Sequence, residues 1–112
     1  MTVYVDEASI LAEVVDEKTG RKYRSRWCHL FSSELDPGEL HVFAVRIGLR
    51  REWFQPGKVP GRPGVADPVR DHYDLTAGKR VAAVAAGAVP VGMAEAVEIW
   101  RAKRERSGRC SL

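Results

Sequence analysis

His72 and Asp74 stand two residues apart in the segment His72-Tyr73-Asp74-Leu75-Thr76, which is followed by Lys79 and Arg80. On an extended strand, side chains two apart leave the same face, so an imidazole and a carboxylate would lie side by side, with Thr76 next if the strand continues. Such a pair is a usable general acid–base unit, because the carboxylate fixes the ring tautomer and raises its basicity. Thr76 and the amides after it offer an anion-binding helix start, and Arg80, one turn in, is placed to grip a phosphate or carboxylate bidentately. The spacing permits this chemistry without being diagnostic of it. Local capping, or pairing of His72 and Asp74 with Arg80, fits the same residues.

Asp6 adds a carboxylate at the end of the first strand-like segment. His29 shares a strand face with Trp27 and Phe31, a setting equally suited to a core imidazole, and His41 lies beside the apolar stripe of a helix. These histidines and aspartates show no His-x-x-x-His or Cys-x-x-Cys spacing, so no metal ligand is assigned from sequence. The cofactor is unknown, a divalent metal being compatible with the set but not indicated by it. No phosphate-binding glycine loop, nucleophile elbow or Cys–base motif occurs. Trp53, near Arg50 and Arg51, suits base stacking as well as packing.

The elements that must position these residues follow from periodicity. Thr2 to Asp6 alternates as a strand, and residues 10 to 26 read as a peripheral hairpin turning at Asp16-Glu17-Lys18-Thr19-Gly20. Trp27 to Phe31 is a further strand, with Cys28 and Leu30 on one face and Trp27, His29 and Phe31 on the other. Asp36, Pro37 and Glu39 signal a helix start, Leu40, Phe43, Ala44 and Ile47 its buried stripe, and Gly48 its end. Leu49 to Gln55, short and aromatic, reads as a strand or the approach to one. The Pro/Gly-rich stretch 56–71 reads as a loop without ladder hydrogen bonds, placed to act as a lid. His72 to Leu75 is a strand, Thr76 caps a helix whose alanines with Val81 and Val84 pack on the sheet, and Gly87 ends it. Ala88 to Val91 is an edge strand. Gly92 to Arg104 is an amphipathic helix with the stripe Met93, Ala96, Val97 and Trp100. Strand, helix, glycine, strand thus occurs twice, which predicts an α/β fold: one small domain over 1–100, with a mixed or partly parallel sheet covered by about three helices.

Composition agrees. In 112 residues, 45% hydrophobic and 29% charged is a globular balance. The absence of a long apolar run or a leader-like start predicts a cytoplasmic protein without a membrane partner. Cys28 and Cys110, in no redox or metal spacing, are expected as reduced thiols. The net charge of +3 is local: Arg101, Lys103, Arg104, Arg106 and Arg109 face only Glu105 within 101–112, so the body is near neutral. A basic helix end and tail suits the helix dipole, and it could also touch phosphate.

Met1 to Asp6, Arg26-Trp27-Cys28-His29-Leu30, Glu39-Leu40-His41 with Ile47-Gly48-Leu49, Trp53-Phe54-Gln55, and His72 to Thr76 with Lys79-Arg80 together resemble the bacterial and phage family named domain of unknown function 4031. The resemblance runs from residue 1 to about 91 and implies no activity. It does imply that Asp6, His29, His41, Gln55, His72, Asp74 and Arg80 form a shared polar signature. Members of that family often carry paired aspartates after the first strand, whereas Glu7 follows Asp6 here.

Two functions are then expected to compete. The first is a small enzyme on a phosphorylated or nucleotide-like substrate, with His72, Asp74 and Asp6 catalytic and Thr76, Lys79, Arg80, His29, His41 and Gln55 binding. The alternative is a non-catalytic module for nucleic acid or protein, using Arg50, Arg51, the proline-rich loop and the basic tail. The oligomeric state is not legible.

Overall fold

The computed structural model describes residues 2–7, 10–15 and 18–108. The turn residues Asp16 and Glu17, the tail beyond Gly108 and Cys110 fall outside that description. Strands β1 (Val3–Val5), β2 (Ile10–Val15) and β3 (Lys22–Ser32) open the chain. The two strands expected at 21–26 and 27–31 are one uninterrupted β3. Its first half pairs with β2, Lys22 opposite Val15 through Trp27 opposite Ile10, and its last residues pair with β1, Leu30 opposite Val5 through Ser32 opposite Val3. The change of composition at Arg26-Trp27 therefore marks a change of neighbour, not a break in the strand.

After helix α1 (Gly38–Arg46) and the hairpin β4 (Lys58–Val59) and β5 (Arg62–Ala66) come β6 (Tyr73–Leu75), α2 (Ala77–Ala85), β7 (Val89–Pro90) and α3 (Met93–Arg106). β6 pairs antiparallel with β3, and β7 pairs parallel with β1. Since β1 and β6 both oppose β3, they run parallel to each other and to β7, and α2 is the crossover that carries the chain from β6 to β7. The sheet is mixed and partly parallel, an α/β fold as the alternation predicts.

The two-residue period of β3 divides the interior into two cores. Cys28 and Leu30 join Val5, Tyr73 and Leu75 against Leu40 and Ala44 of α1 and Ala83 of α2. Phe31 faces the other way, toward Ala96 and Trp100 of α3 and Val91. The sheet is thus sandwiched between α1 with α2 and α3. Both expected glycine ends are present. Gly48 (φ 87°) and Gly87 (φ 112°) adopt left-handed backbone, and the bonds Gly48 N–H to Val45 O, Leu49 N–H to Ala44 O, Gly87 N–H to Val84 O and Ala88 N–H to Ala83 O close two Schellman caps.

Several expectations are corrected. Helix α1 starts one residue late, at Gly38, whose amide is held by the Asp36 carboxylate, 2.8 Å. Leu49 to Gln55 is not a strand: Arg51–Trp53 forms a 3-10 turn and only Gln55 pairs, opposite His72. The 56–71 stretch is not a bare loop. Pro60 and Gly61 fall in the turn between β4 and β5, and Pro63 is tolerated because both strands of a two-stranded ribbon are edges. On α2, Val81 and Val84 point outward and Ala83 meets the sheet. On α3, Met93 and Val97 are exposed and the inward face is Ala96, Ile99, Trp100 and Lys103. That face contains a lysine, which hydrophobic periodicity rejects. Lys103 is buried, which pushes its pKa down to about 8, while Asp71 and Asp67 pull it back up. No helix of the described residues is long and apolar enough to cross a membrane.

Candidate functional site

The register of β3 places His29 between two strands, next to Asp6 at the end of β1 on one side and opposite Asp74 of β6 on the other. Asp6 is fully buried, and both of its oxygens serve His29: Oδ1 accepts the backbone N–H at 2.9 Å, and Oδ2 lies 2.7 Å from ring Nδ1. A carboxylate only accepts, so Nδ1 carries a proton and Nε2 is turned away from Asp6. It is turned toward Asp74, whose Oδ1 is 3.9 Å distant.

His72 approaches the same oxygen from the other side. Its Nδ1 donates to the Arg70 carbonyl at 2.8 Å, and its Nε2 lies 3.3 Å from Asp74 Oδ1. Gln55 holds its backbone, each residue's N–H meeting the other's carbonyl at 2.8 and 3.1 Å. The His29 and His72 rings meet edge to face, centroids 5.0 Å apart. Burial alone would lower the His72 pKa, but the Asp74 carboxylate and the Arg70 carbonyl outweigh it and raise the value.

His29 and His72 form the floor of a cleft of about 400 Å³, closed by α3 and the turn before β6. Its walls carry Val69, Arg70, Val97, Trp100, Arg101 and Arg104. Arg70 is shared with Asp67 at 3.3 Å and Arg101 with Glu98 at 2.9 Å, both pairs outside the histidine cluster. No ion pair engages Arg104 among the described residues. The ring of Trp100 rests on Phe31, 5.2 Å between centroids, and so holds the cleft wall to the sheet.

The remaining expected site residues are placed elsewhere. Thr76 caps α2, its hydroxyl accepting from Lys79 N–H at 3.2 Å. Lys79 Nζ reaches the Ile47 carbonyl at 2.9 Å, at the end of α1. Arg80 Nε donates to the backbone carbonyl of Asp6 at 3.2 Å, which steadies the residue that orients His29. His41 sits on the α1 side, bonded through Nδ1 to Tyr73 Oη at 2.8 Å and packed on Phe54. Burial, aided by Arg51, lowers its pKa. Cys28 faces that same core, and burial together with Asp6 pushes its thiol up to about 11, which leaves no thiolate nucleophile.

A sequence model of a protein family, described as Protein of unknown function (DUF4031), matches residues 3–103. The chain belongs to the DUF4031 family. No curated protein and no solved structure matches it. The matched span of this DUF4031 chain holds Asp6, His29, His72 and Asp74, together with Lys103 on α3. Sequence reasoning missed Arg70, Trp100, Arg101 and Arg104 as one cleft wall. The signal for Arg101 and Arg104 was the clustering of basic residues after position 100, which says nothing of what α3 packs against.

Proposed function

We propose that this DUF4031 protein is a small enzyme that acts on a phosphorylated or nucleotide-like substrate in the cleft between α3 and the polar end of the sheet. One observation carries the reading: the oriented histidine His29 and the second histidine His72 line a cleft whose wall bears three arginines, and both rings face Asp74. The floor gathers electron-pair donors able to activate a water or hydroxyl, and Arg70, Arg101 and Arg104 supply charge to hold an anion. Trp100 offers an apolar edge to a ring. Asp6 acts through His29 as a positioning residue. We place this activity in the cytoplasm, where a thiol such as Cys28 stays reduced.

A thermal-shift screen against nucleotides, sugar phosphates and short oligonucleotides, followed by a turnover assay on each hit, tests the proposal. A ligand at about 100 times its Kd adds ~2.7 kcal/mol, a shift of several degrees for a chain of this size. The expected result is stabilisation by a phosphorylated small molecule that is turned over, with the shift lost in Arg104→Ala and turnover lost in His29→Ala. No shift with any phosphorylated compound would overturn it, and so would binding of oligonucleotides alone without turnover.

A further inference from the structure

We infer that His29, His72 and Asp74 form a binding site for a divalent first-row transition-metal ion, with Asp6 and the Arg70 carbonyl as the outer groups that orient the two imidazoles. The inference concerns the centre of the proposed activity but requires neither phosphate recognition nor turnover.

The Arg70 carbonyl and the Asp6 carboxylate can only accept, so both Nδ1 atoms are donors in these contacts. In the neutral rings both Nε2 atoms then present lone pairs, and both are directed at the Asp74 carboxylate, itself an acceptor. One ligand atom from each of the three residues lies within 4.8 Å of the other two. With both rings neutral, three electron-pair donors converge on one point, and either a proton on His72 Nε2 or a metal cation between them relieves their repulsion. Ligands about 2.1 Å from a four-coordinate ion sit roughly 3.4 Å apart; the two separations to Asp74, 3.3 and 3.9 Å, bracket that spacing, and the two imidazoles, within 4.8 Å of each other, would close onto the ion.

The outer groups strengthen the assignment. Metal-bound histidine characteristically donates its other ring N–H to a carboxylate or a backbone carbonyl, which fixes the tautomer and makes the ligand more basic. Here one ring has each type of partner. Two imidazoles and one carboxylate suit zinc, iron, cobalt or manganese rather than calcium or magnesium, which favour all-oxygen shells. Three protein ligands leave coordination positions open, and the two histidines line the cleft. His72 and Asp74 are partly exposed, so an ion has an entry path.

The test is titration of the chelator-treated full chain with Co²⁺ and Zn²⁺, read by calorimetry and by the visible ligand-field absorption of bound cobalt. The expected result is one equivalent bound, with affinity reduced about 100-fold or more in His72→Ala and in Asp74→Asn. Asp6→Asn should weaken binding by roughly 10–100-fold, as loss of an outer partner does, and His41→Gln should leave it unchanged. His72 and Asp74 are chosen because their partial exposure makes loss of folding a smaller risk, and far-ultraviolet circular dichroism checks each variant. Failure of the wild type to bind either ion would overturn the inference, as would binding that survives both His72→Ala and Asp74→Asn. Turnover of a phosphate ester by a wild type that binds neither ion would remove the metal site while sparing the enzyme reading. Metal binding with no phosphorylated ligand would do the reverse.

Discussion

The carboxylate of Asp6 gives one oxygen to the backbone amide of His29 and the other to its ring, at 2.9 and 2.7 Å. This links the end of β1 to the middle of β3 and sets the tautomer on which the site depends. Asp6 is fully buried, so removing its charge leaves donors without water to replace the lost acceptor. Asp6→Ala is expected to cost about 1.5–3 kcal/mol, the range for hydrogen bonds to a charged group. Urea denaturation measures it, and an unchanged midpoint would show that the pair is not formed.

His41 provides a pH signature separate from the site. Its pKa is lowered from 6.5, first by burial and then by Arg51. Between 6.5 and the lowered value the unfolded chain binds more protons at this position than the folded one. Its contribution to stability therefore falls as pH drops through that window and levels off below the folded value. The wild type should lose stability on acidification relative to His41→Phe, measured as the difference between their unfolding curves across the window. Parallel pH profiles would contradict this.

Lys79 has a structural role in the fold described. Its ammonium meets the Ile47 carbonyl at the end of α1, where backbone acceptors lack partners. Lys79→Met should cost about 1 kcal/mol and leave Co²⁺ affinity unchanged. A loss of metal or ligand binding at unaltered stability would place this side chain at the site after all.

Cys28 is expected to be inert in the folded protein. Its thiol is buried and raised to about 11. In a Cys110→Ser background, iodoacetamide should label the native protein far more slowly than the unfolded chain. Equal rates would mean that the core on the α1 side is open.

The candidate site was legible in part, for identifiable reasons. His72 and Asp74 share a strand face because the β period is two, and that much follows from spacing. Thr76, Gly48 and Gly87 were readable because helix ends have local chemistry. The central place of His29 was not readable, since it depends on which strands flank β3 and in what register. His29 opposite Asp74 is a pairing across 45 residues of sequence. The inward face of α3 escapes periodicity for a related reason: it includes the buried Lys103, whose charge Asp71 and Asp67 favour, and these lie far from it in sequence. Arg70, Arg101 and Arg104 form one wall only because that packing brings the turn before β6 against α3.

A metal ion at His29, His72 and Asp74 requires two neutral imidazoles that both carry their proton on Nδ1 and turn Nε2 toward Asp74. Long-range ¹H–¹⁵N correlation spectra of the metal-free protein, at a pH alkaline enough to deprotonate both rings, read this tautomer directly. The expected result is the Nδ1–H form for both His29 and His72, with Zn²⁺ then shifting both Nε2 resonances. An Nε2–H form at His29, or Nε2 resonances that ignore zinc, would contradict it.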